Sequence, residues 1–93
     1  MTTVQTTQLG RGHFGAEIHE GGIVKHCEVV IDGNLLDDMA MIDVDHRLVA
    51  EETIGLLLER STAAGLPERI SIRDVDRMEP DYRTELTARV ATR

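Results

Sequence analysis

Residues 17 to 28, "EIHEGGIVKHCE", combine histidines, glutamates and the single cysteine around a Gly-Gly pair. Imidazole nitrogens and carboxylates that lie one strand apart can hold a zinc-like cation, which takes three or four such ligands at about 2.0–2.2 Å. A neutral histidine beside a glutamate could also share a proton, as a general base or in a pH-sensitive interface. The stretch is therefore a candidate for chemistry, and its geometry depends on how the chain turns at the glycines.

The Gly21-Gly22 pair predicts a two-residue hairpin loop, because glycine accepts positive φ. The register that follows places Glu17 opposite His26, and alternate residues then share a face. The polar face carries His13, Glu17, His19, Val24, His26 and Glu28. The opposite face carries Ala16, Ile18, Cys27 and Val29, which we expect in the core. The predicted metal ligands are His19, His26, Glu17 and Glu28.

A simpler interpretation of the same hairpin stays open. A half-buried antiparallel hairpin shows a polar face to water, and each cross-strand Glu-His pair adds only about 0.2–1 kcal/mol. A change of register by one residue would scatter the cluster over both faces. For Cys27, a small buried hydrophobe is a simpler role than a nucleophile, since no basic group except Lys25 is expected on its face.

The elements that must position this cluster are mainly strands. "TTVQTTQL" predicts an edge strand, while "FGAEIHE" and "IVKHCEVVID" flank the glycine pair. "DGN" is expected to turn the chain towards a further strand, "MAMIDVD". "RISIRDV" alternates and predicts a strand after the helical region. The tail, residues 81 to 92, alternates as a strand would, yet Tyr82, Leu86 and Val90 also lie four apart; its Thr and Val content favours the strand.

A helix is predicted from about His46 to Ala64, with Asp45 as its N-cap and Gly65 at its end. The expected fold is therefore a single α+β domain over residues 1–93, an antiparallel sheet of about five to six strands with one main helix on one face. One helix covers only part of such a sheet. The uncovered part, for which Met39 and Met41 are candidates, predicts a subunit interface.

The bulk composition excludes several classes of function. The formal net charge of -7 and the two aromatics, Phe14 and Tyr82, argue against nucleic acid as a partner. No apolar run approaches the roughly 20 residues of a membrane span, and the start lacks a signal peptide, so a cytoplasmic location is expected. A lone cysteine fits a reducing compartment. A 93-residue domain has modest stability alone, which favours a homo-oligomer.

From Phe14 to Tyr82 the order of motifs resembles the 6-pyruvoyltetrahydropterin and 6-carboxytetrahydropterin synthases, small oligomeric enzymes of the tunnelling fold. "FGAEIH" looks like their first strand, "DGNLLDDMAMIDV" like their turn and next strand, and "ISIRD" like a later strand. The resemblance implies that His19 is a zinc ligand and that Asp74 stands at the pterin-anchoring, cofactor-binding position. The family's His-x-His strand has no counterpart here, where His26 is the residue that could substitute.

These observations favour a small acidic oligomeric protein that acts as a binding or interaction module, for a partner subunit or for a small ligand at a subunit interface. The alternative is a metal-assisted enzyme, in which zinc held by the hairpin cluster polarises a substrate oxygen or lowers the pKa of bound water towards 7. An inhibitor or accessory protein that pairs with a basic partner by strand addition is a third hypothesis. The sequence assigns no catalytic residue.

Overall fold

A computed structural model describes residues 2–41 and 43–92 and shows an α+β chain. The strands are β1 (Thr2–Gly10), β2 (His13–Glu20), β3 (Ile23–Val30) and β4 (Arg69–Ser71). The helices are α1 (Gly33–Asp38), α2 (His46–Leu58), α3 (Ile72–Met78) and α4 (Tyr82–Ala91), with a 3-10 turn at Ala63–Gly65. Within these ranges no helix combines the length and the apolar character that a membrane crossing requires.

The described strands form one mixed sheet in the order β1-β2-β3-β4. β2 pairs antiparallel with both β1 and β3, whereas β4 pairs parallel with β3. A parallel neighbour needs a crossover, and here the chain passes through α1 and α2 before it returns as β4. The expected antiparallel sheet of five to six strands with one main helix is therefore corrected to four strands and four α-helices in the described residues.

The predicted hairpin between β2 and β3 is confirmed. Gly21 and Gly22 have φ values of +55° and +85°, the left-handed region that a tight two-residue loop requires. Glu20 consequently faces Ile23, and Glu17 faces His26. The glycine pair thus sets the register of every residue in the two strands.

The core lies on one face of the sheet. The sheet contributes Phe14, Ala16, Ile18, Cys27 and Val29 to a single buried cluster. The helices contribute the following residues to the same cluster: Leu35 and Leu36 from α1, Val49, Ile54 and Leu56 from α2, Ile72 and Val75 from α3, and Tyr82 and Leu86 from α4. Because the buried residues of all four helices join this cluster, the helices cover this face of the sheet. The opposite face of the described sheet carries no helix.

The strand predicted for "MAMIDVD" is wrong in its described part. The Asp32 side chain accepts hydrogen bonds from the backbone N–H groups of Asn34 and Leu35, which starts α1 where a turn was expected. The chain leaves α1 through Ala40 at φ +56°. Met41 is only 5% exposed and Met39 is partly buried against the core, so these residues do not form an uncovered part of the sheet, and the subunit interface stays a prediction. Ile42 lies outside the described residues.

The main helix is shorter than predicted. Asp45 caps α2 as expected, its side chain accepting from the backbone N–H of Arg47. The helix ends at Leu58 rather than near Ala64. Thr62 then accepts a hydrogen bond from the backbone N–H of Gly65, which begins the separate 3-10 turn.

The last two predicted strands are mostly helical. Of "RISIRDV", only Arg69–Ser71 is strand, and α3 follows because Ile72 and Val75, three residues apart, are both buried on one helical face. The tail is α4, in which Tyr82 and Leu86, four residues apart, are buried together. The strand prediction for residues 81 to 92 is therefore wrong, and the helical spacing that the sequence also showed is the one that the structure adopts.

Candidate functional site on the outer face of the sheet

The outer face is the side of the sheet that points away from the helices. It consists of alternate residues: Thr3, Gln5, Thr7 and Leu9 of β1, His13, Gly15, Glu17 and His19 of β2, and Val24, His26, Glu28 and Val30 of β3. The observed register confirms that the polar residues of the hairpin share one face. Three of the four histidines of the chain lie on it.

A first polar group on the outer face is centred on Glu17. Nε2 of His19 lies 2.5 Å from Oε1 of Glu17, within hydrogen-bond distance. Nδ1 of His26 approaches Oε2 of the same carboxylate at 4.0 Å from the neighbouring strand. The side chains of His19 and His26 are 46% and 73% exposed, so this group is in contact with solvent.

A second polar group is centred on Glu28. Its Oε1 lies 3.2 Å from Nδ1 of His13 and 3.6 Å from Nε of Arg69. Arg69 was missed by sequence reasoning, because it reaches Glu28 only through the parallel pairing of β4 with β3. No local pattern around either residue indicates that contact.

The predicted metal ligands share a face but divide between these two groups. Gly15 separates them along β2, between His13 and Glu17, and the Arg69 guanidinium beside Glu28 already neutralises that carboxylate. Over residues 2–41 and 43–92, no three or more His, Cys, Asp or Glu side chains are grouped so that they could hold a metal ion. A zinc site at His19, His26, Glu17 and Glu28 stays a prediction of the sequence alone.

Between the two groups lies a shallow depression of about 310 Å³. It exists because Gly15 has no side chain, and the Leu9 side chain leans over that position, 3.3 Å from where a Cβ atom would be. Its polar walls include Gln5 and Thr7 of β1 and Glu17 and His26 of the hairpin. Leu9 is nevertheless 62% exposed, so an apolar side chain faces solvent at the rim.

The two remaining candidates lie elsewhere. Cys27 is 6% exposed on the core face, and burial raises the pKa of its thiol, outweighing the lowering effect of Lys25. This supports the predicted role as a small hydrophobe. Asp74 lies on α3 rather than on a strand, and its carboxylate pairs with Arg77 one helical turn away. It is therefore not part of the outer face.

Comparison with protein-family models, with curated proteins and with solved structures gave no match. The resemblance to pterin synthases stays a prediction from motif order. We therefore infer the function of this protein from the geometry of this chain.

The outer face is bordered by an edge strand, β1, whose outward edge no other strand covers in residues 2–41 and 43–92. β1 stands at the end of the strand order, so one of its sides pairs with β2 and the other has no strand partner in the described residues. Its nine residues include neither a charged residue nor a proline, the devices that usually prevent edge-to-edge association. The opposite edge strand, β4, has only three residues and carries Arg69.

Proposed function

We propose that this chain is a small cytoplasmic interaction module that forms a homodimer by antiparallel pairing of β1 with the β1 of a second copy. The observation that carries the proposal is the long, neutral edge of the sheet. Strand addition satisfies the outward-pointing N–H and C=O groups of β1 and would join two four-stranded sheets into one. The lone buried Cys27 agrees with a reducing compartment.

Charge favours a second copy at this edge. Each chain carries a formal charge of -7, so two copies repel each other over most of their surfaces. Residues 2 to 10 carry no charge, and they offer a contact without that repulsion. A basic partner would be attracted to the acidic surfaces rather than to this strand, which favours the second copy as the occupant.

The sequence of β1 is also self-complementary. The pairing of β1 with β2 is regular up to Gln8 and shifts between Gln8 and Gly10. Antiparallel pairing of Thr2–Gln8 with its own copy would place Gln5 opposite Gln5 and Thr3 opposite Thr7, all on the outer face. Side chains of Thr and Gln each donate and accept hydrogen bonds, so both pairings are satisfied.

The outer-face depression would then lie beside the dimer interface. Gln5, Thr7 and Leu9 belong to the edge strand and line that depression. A small ligand seated there would contact residues whose positions are fixed by dimerisation, which is how one surface can serve both subunit association and ligand binding.

The proposed register can be tested within one chain. Because Thr3 would face Thr7 of the second copy, the double variant Thr3→Lys/Thr7→Lys places lysines opposite each other, and the variant Thr3→Glu/Thr7→Lys places a glutamate opposite a lysine. Like charges at directly opposed positions destabilise a strand pair, whereas opposite charges stabilise it. Native mass spectrometry should show dimers for the wild type and for the Glu/Lys variant, and monomers for the Lys/Lys variant.

The matched control for added charge is Ala64→Lys/Ala88→Lys, which changes the net charge equally at two exposed positions away from β1. This control should remain dimeric, and circular dichroism should show that every variant is folded. A monomeric wild type would overturn the proposal. Equal dimerisation of the Lys/Lys and Glu/Lys variants would do so as well, since it would show that β1 does not pair in this register.

A further inference from the structure

Two of the arginines in residues 2–41 and 43–92 have no carboxylate partner within those ranges. Of the eight arginines in the described residues, six form ion pairs: Arg60, Arg69, Arg73, Arg77, Arg83 and Arg89. The guanidinium groups of Arg11 and Arg47 form none within residues 2–41 and 43–92. Both side chains are exposed, and they are unpaired although the chain has 17 Asp and Glu residues.

These two arginines line the same cavity. It has a volume of about 530 Å³ and lies where the turn between β1 and β2 approaches the start of α2. Arg11 enters it from the turn and Arg47 from the first turn of α2, although they are far apart in sequence. Its remaining lining residues are Gln8, Gly12, Phe14, Asp45 and His46.

The donors with a permanent positive charge that line this cavity are the two guanidinium groups, and the side chains of Gln8 and His46 line it as well. The N-terminus of α2 is already capped, because the Asp45 side chain accepts a hydrogen bond from the backbone N–H of Arg47. Within residues 2–41 and 43–92 the Asp45 carboxylate accepts from the backbone of Arg47 but forms no ion pair with either guanidinium group. The lining has two guanidinium groups against the single carboxylate of Asp45, and so it carries more positive than negative formal charge in a chain whose total charge is negative.

We infer that this cavity binds a small phosphorylated organic molecule, with its phosphate held between Arg11 and Arg47. An arginine presents planar paired N–H donors that match phosphate geometry. A phosphate monoester has three terminal oxygens and a charge of about -1.5 to -2 at neutral pH, and so it matches two guanidinium groups better than the single charge of a carboxylate does. The volume lies within the range of about 300–1,000 Å³ that is usual for small-ligand sites, and Phe14 supplies an apolar wall for the organic part. The inference does not depend on dimerisation.

The test is a titration of ¹⁵N-labelled protein, followed through the arginine Nε–Hε signals, with inorganic phosphate and with phenyl phosphate at constant ionic strength. We expect saturable shifts of the Arg11 and Arg47 signals, with phenyl phosphate binding more tightly. Arg11→Gln and Arg47→Gln should each weaken phenyl phosphate binding by about tenfold or more, because each removes charge-assisted hydrogen bonds.

Lys25→Gln is the matched control. It also removes one positive charge that has no ion pair in the described structure, but Lys25 lies on β3 and does not line this cavity. Its affinity for phenyl phosphate should equal that of the wild type. Loss of affinity in Lys25→Gln equal to that in Arg11→Gln would overturn the site, since it would reveal only a response to net charge. Equal affinities for the two probes would overturn the organic ligand class, and shifts that do not saturate would overturn binding altogether.

Discussion

The hydroxyl oxygens of Thr53 and Tyr82 lie 2.8 Å apart in the core and join α2 to α4. Both side chains are fully buried, so neither hydroxyl has access to water. Every buried side-chain N or O atom of the described residues has a hydrogen-bond partner. The contact thus places a polar pair in an otherwise apolar layer without an unsatisfied group.

Removal of both members of this pair should cost less than the sum of the two single removals. Tyr82→Phe leaves the Thr53 hydroxyl buried without its partner, which should lower the free energy of unfolding by about 1–3 kcal/mol. Thr53→Val should have a comparable effect on the tyrosine hydroxyl. In urea unfolding, the double variant should lose less stability than the sum of the two single variants; strict additivity would show that the hydroxyls do not interact.

The environment of Tyr82 also predicts its titration. Burial raises the pKa of this phenol to about 12 from its usual value of 10, against a smaller lowering effect of the hydrogen bond with Thr53. The chain contains one tyrosine and no tryptophan, so ultraviolet absorbance of tyrosinate reports this residue alone. The folded protein should titrate near the raised value and the urea-unfolded protein near 10; coincident curves would contradict the burial.

The same shift makes stability depend on alkaline pH. The fold favours the protonated phenol, so its contribution is complete below the unfolded pKa of 10 and is lost as pH rises towards about 12. The free energy of unfolding of the wild type should therefore decline over this interval. Tyr82→Phe, which has no proton to lose, should show a shallower decline.

The ion pair between Asp32 and Arg73 predicts that the free energy of unfolding falls at acidic pH. The hydrogen-bonded Arg73 guanidinium, 2.5 Å away, holds the pKa of this carboxyl below its usual value of 3.8. The stability that it contributes is present above pH 3.8 and is lost as pH falls through the lower folded value. Asp32→Asn keeps a side-chain oxygen as the N-cap of α1 but removes the charge. The variant should be less stable than the wild type near pH 7, and the difference should vanish in strong acid.

The control for that comparison is Asp37→Asn. Asp37 is exposed on the same helix and forms no ion pair among the described residues. Its stability should follow the wild-type dependence on pH in chemical denaturation. A gap between Asp32→Asn and the wild type that persists below the titration range would show that the charge of Asp32 is not responsible.

The hairpin loop predicts a position-specific effect of alanine. Gly22 has φ +85°, and a non-glycine residue in the left-handed region costs about 1–2 kcal/mol. Gly22→Ala should therefore lower the free energy of unfolding by about this amount, although no atom blocks the added methyl group. Gly33→Ala, at the start of α1, also meets open space but has no positive φ, and it should be neutral or stabilising. Equal effects at both positions would contradict the backbone explanation.

The outer face predicts how the purified protein behaves towards zinc. We expect the Glu17 carboxylate to be engaged by His19 and His26, so native mass spectrometry without chelator should show chains without stoichiometric metal. His46→Ala is the control, because His46 starts α2 and lies off this face. A mass of one zinc per chain that disappears in His19→Ala/His26→Ala, but persists in His46→Ala, would establish the metal site that the sequence suggested.

The parts of this fold that the sequence predicts are those with a local cause. Two adjacent glycines and a strict alternation determine the hairpin, and they predict the pairing of Glu17 with His26 residue by residue. The pairing of Glu28 with Arg69 depends on a crossover through two helices, and no neighbouring residue signals it. Most ion pairs of the other arginines likewise depend on tertiary contacts, so the sequence does not predict that Arg11 and Arg47 are the ones left unpaired in the described structure.

The errors in the second half have a different physical origin. Residues 81 to 92 satisfy both a strand and a helix pattern, and the choice depends on what the segment packs against. α2 provides a surface on which Tyr82 and Leu86 are buried together, with Thr53 ready to bond the tyrosine hydroxyl. Tertiary packing thus determines the secondary structure of a segment whose local preferences for helix and strand are nearly balanced.

The parallel pairing of β4 with β3 has a consequence for the order of folding. β1, β2 and β3 meet through short turns, so their contacts close small loops and form early. β4 can join only after the whole helical crossover has been placed, which requires the closure of a much longer loop. A chain in which only these three strands have formed would leave the apolar face of the meander uncovered beside the edge strand β1, and we therefore expect slow docking of the helices to favour aggregation.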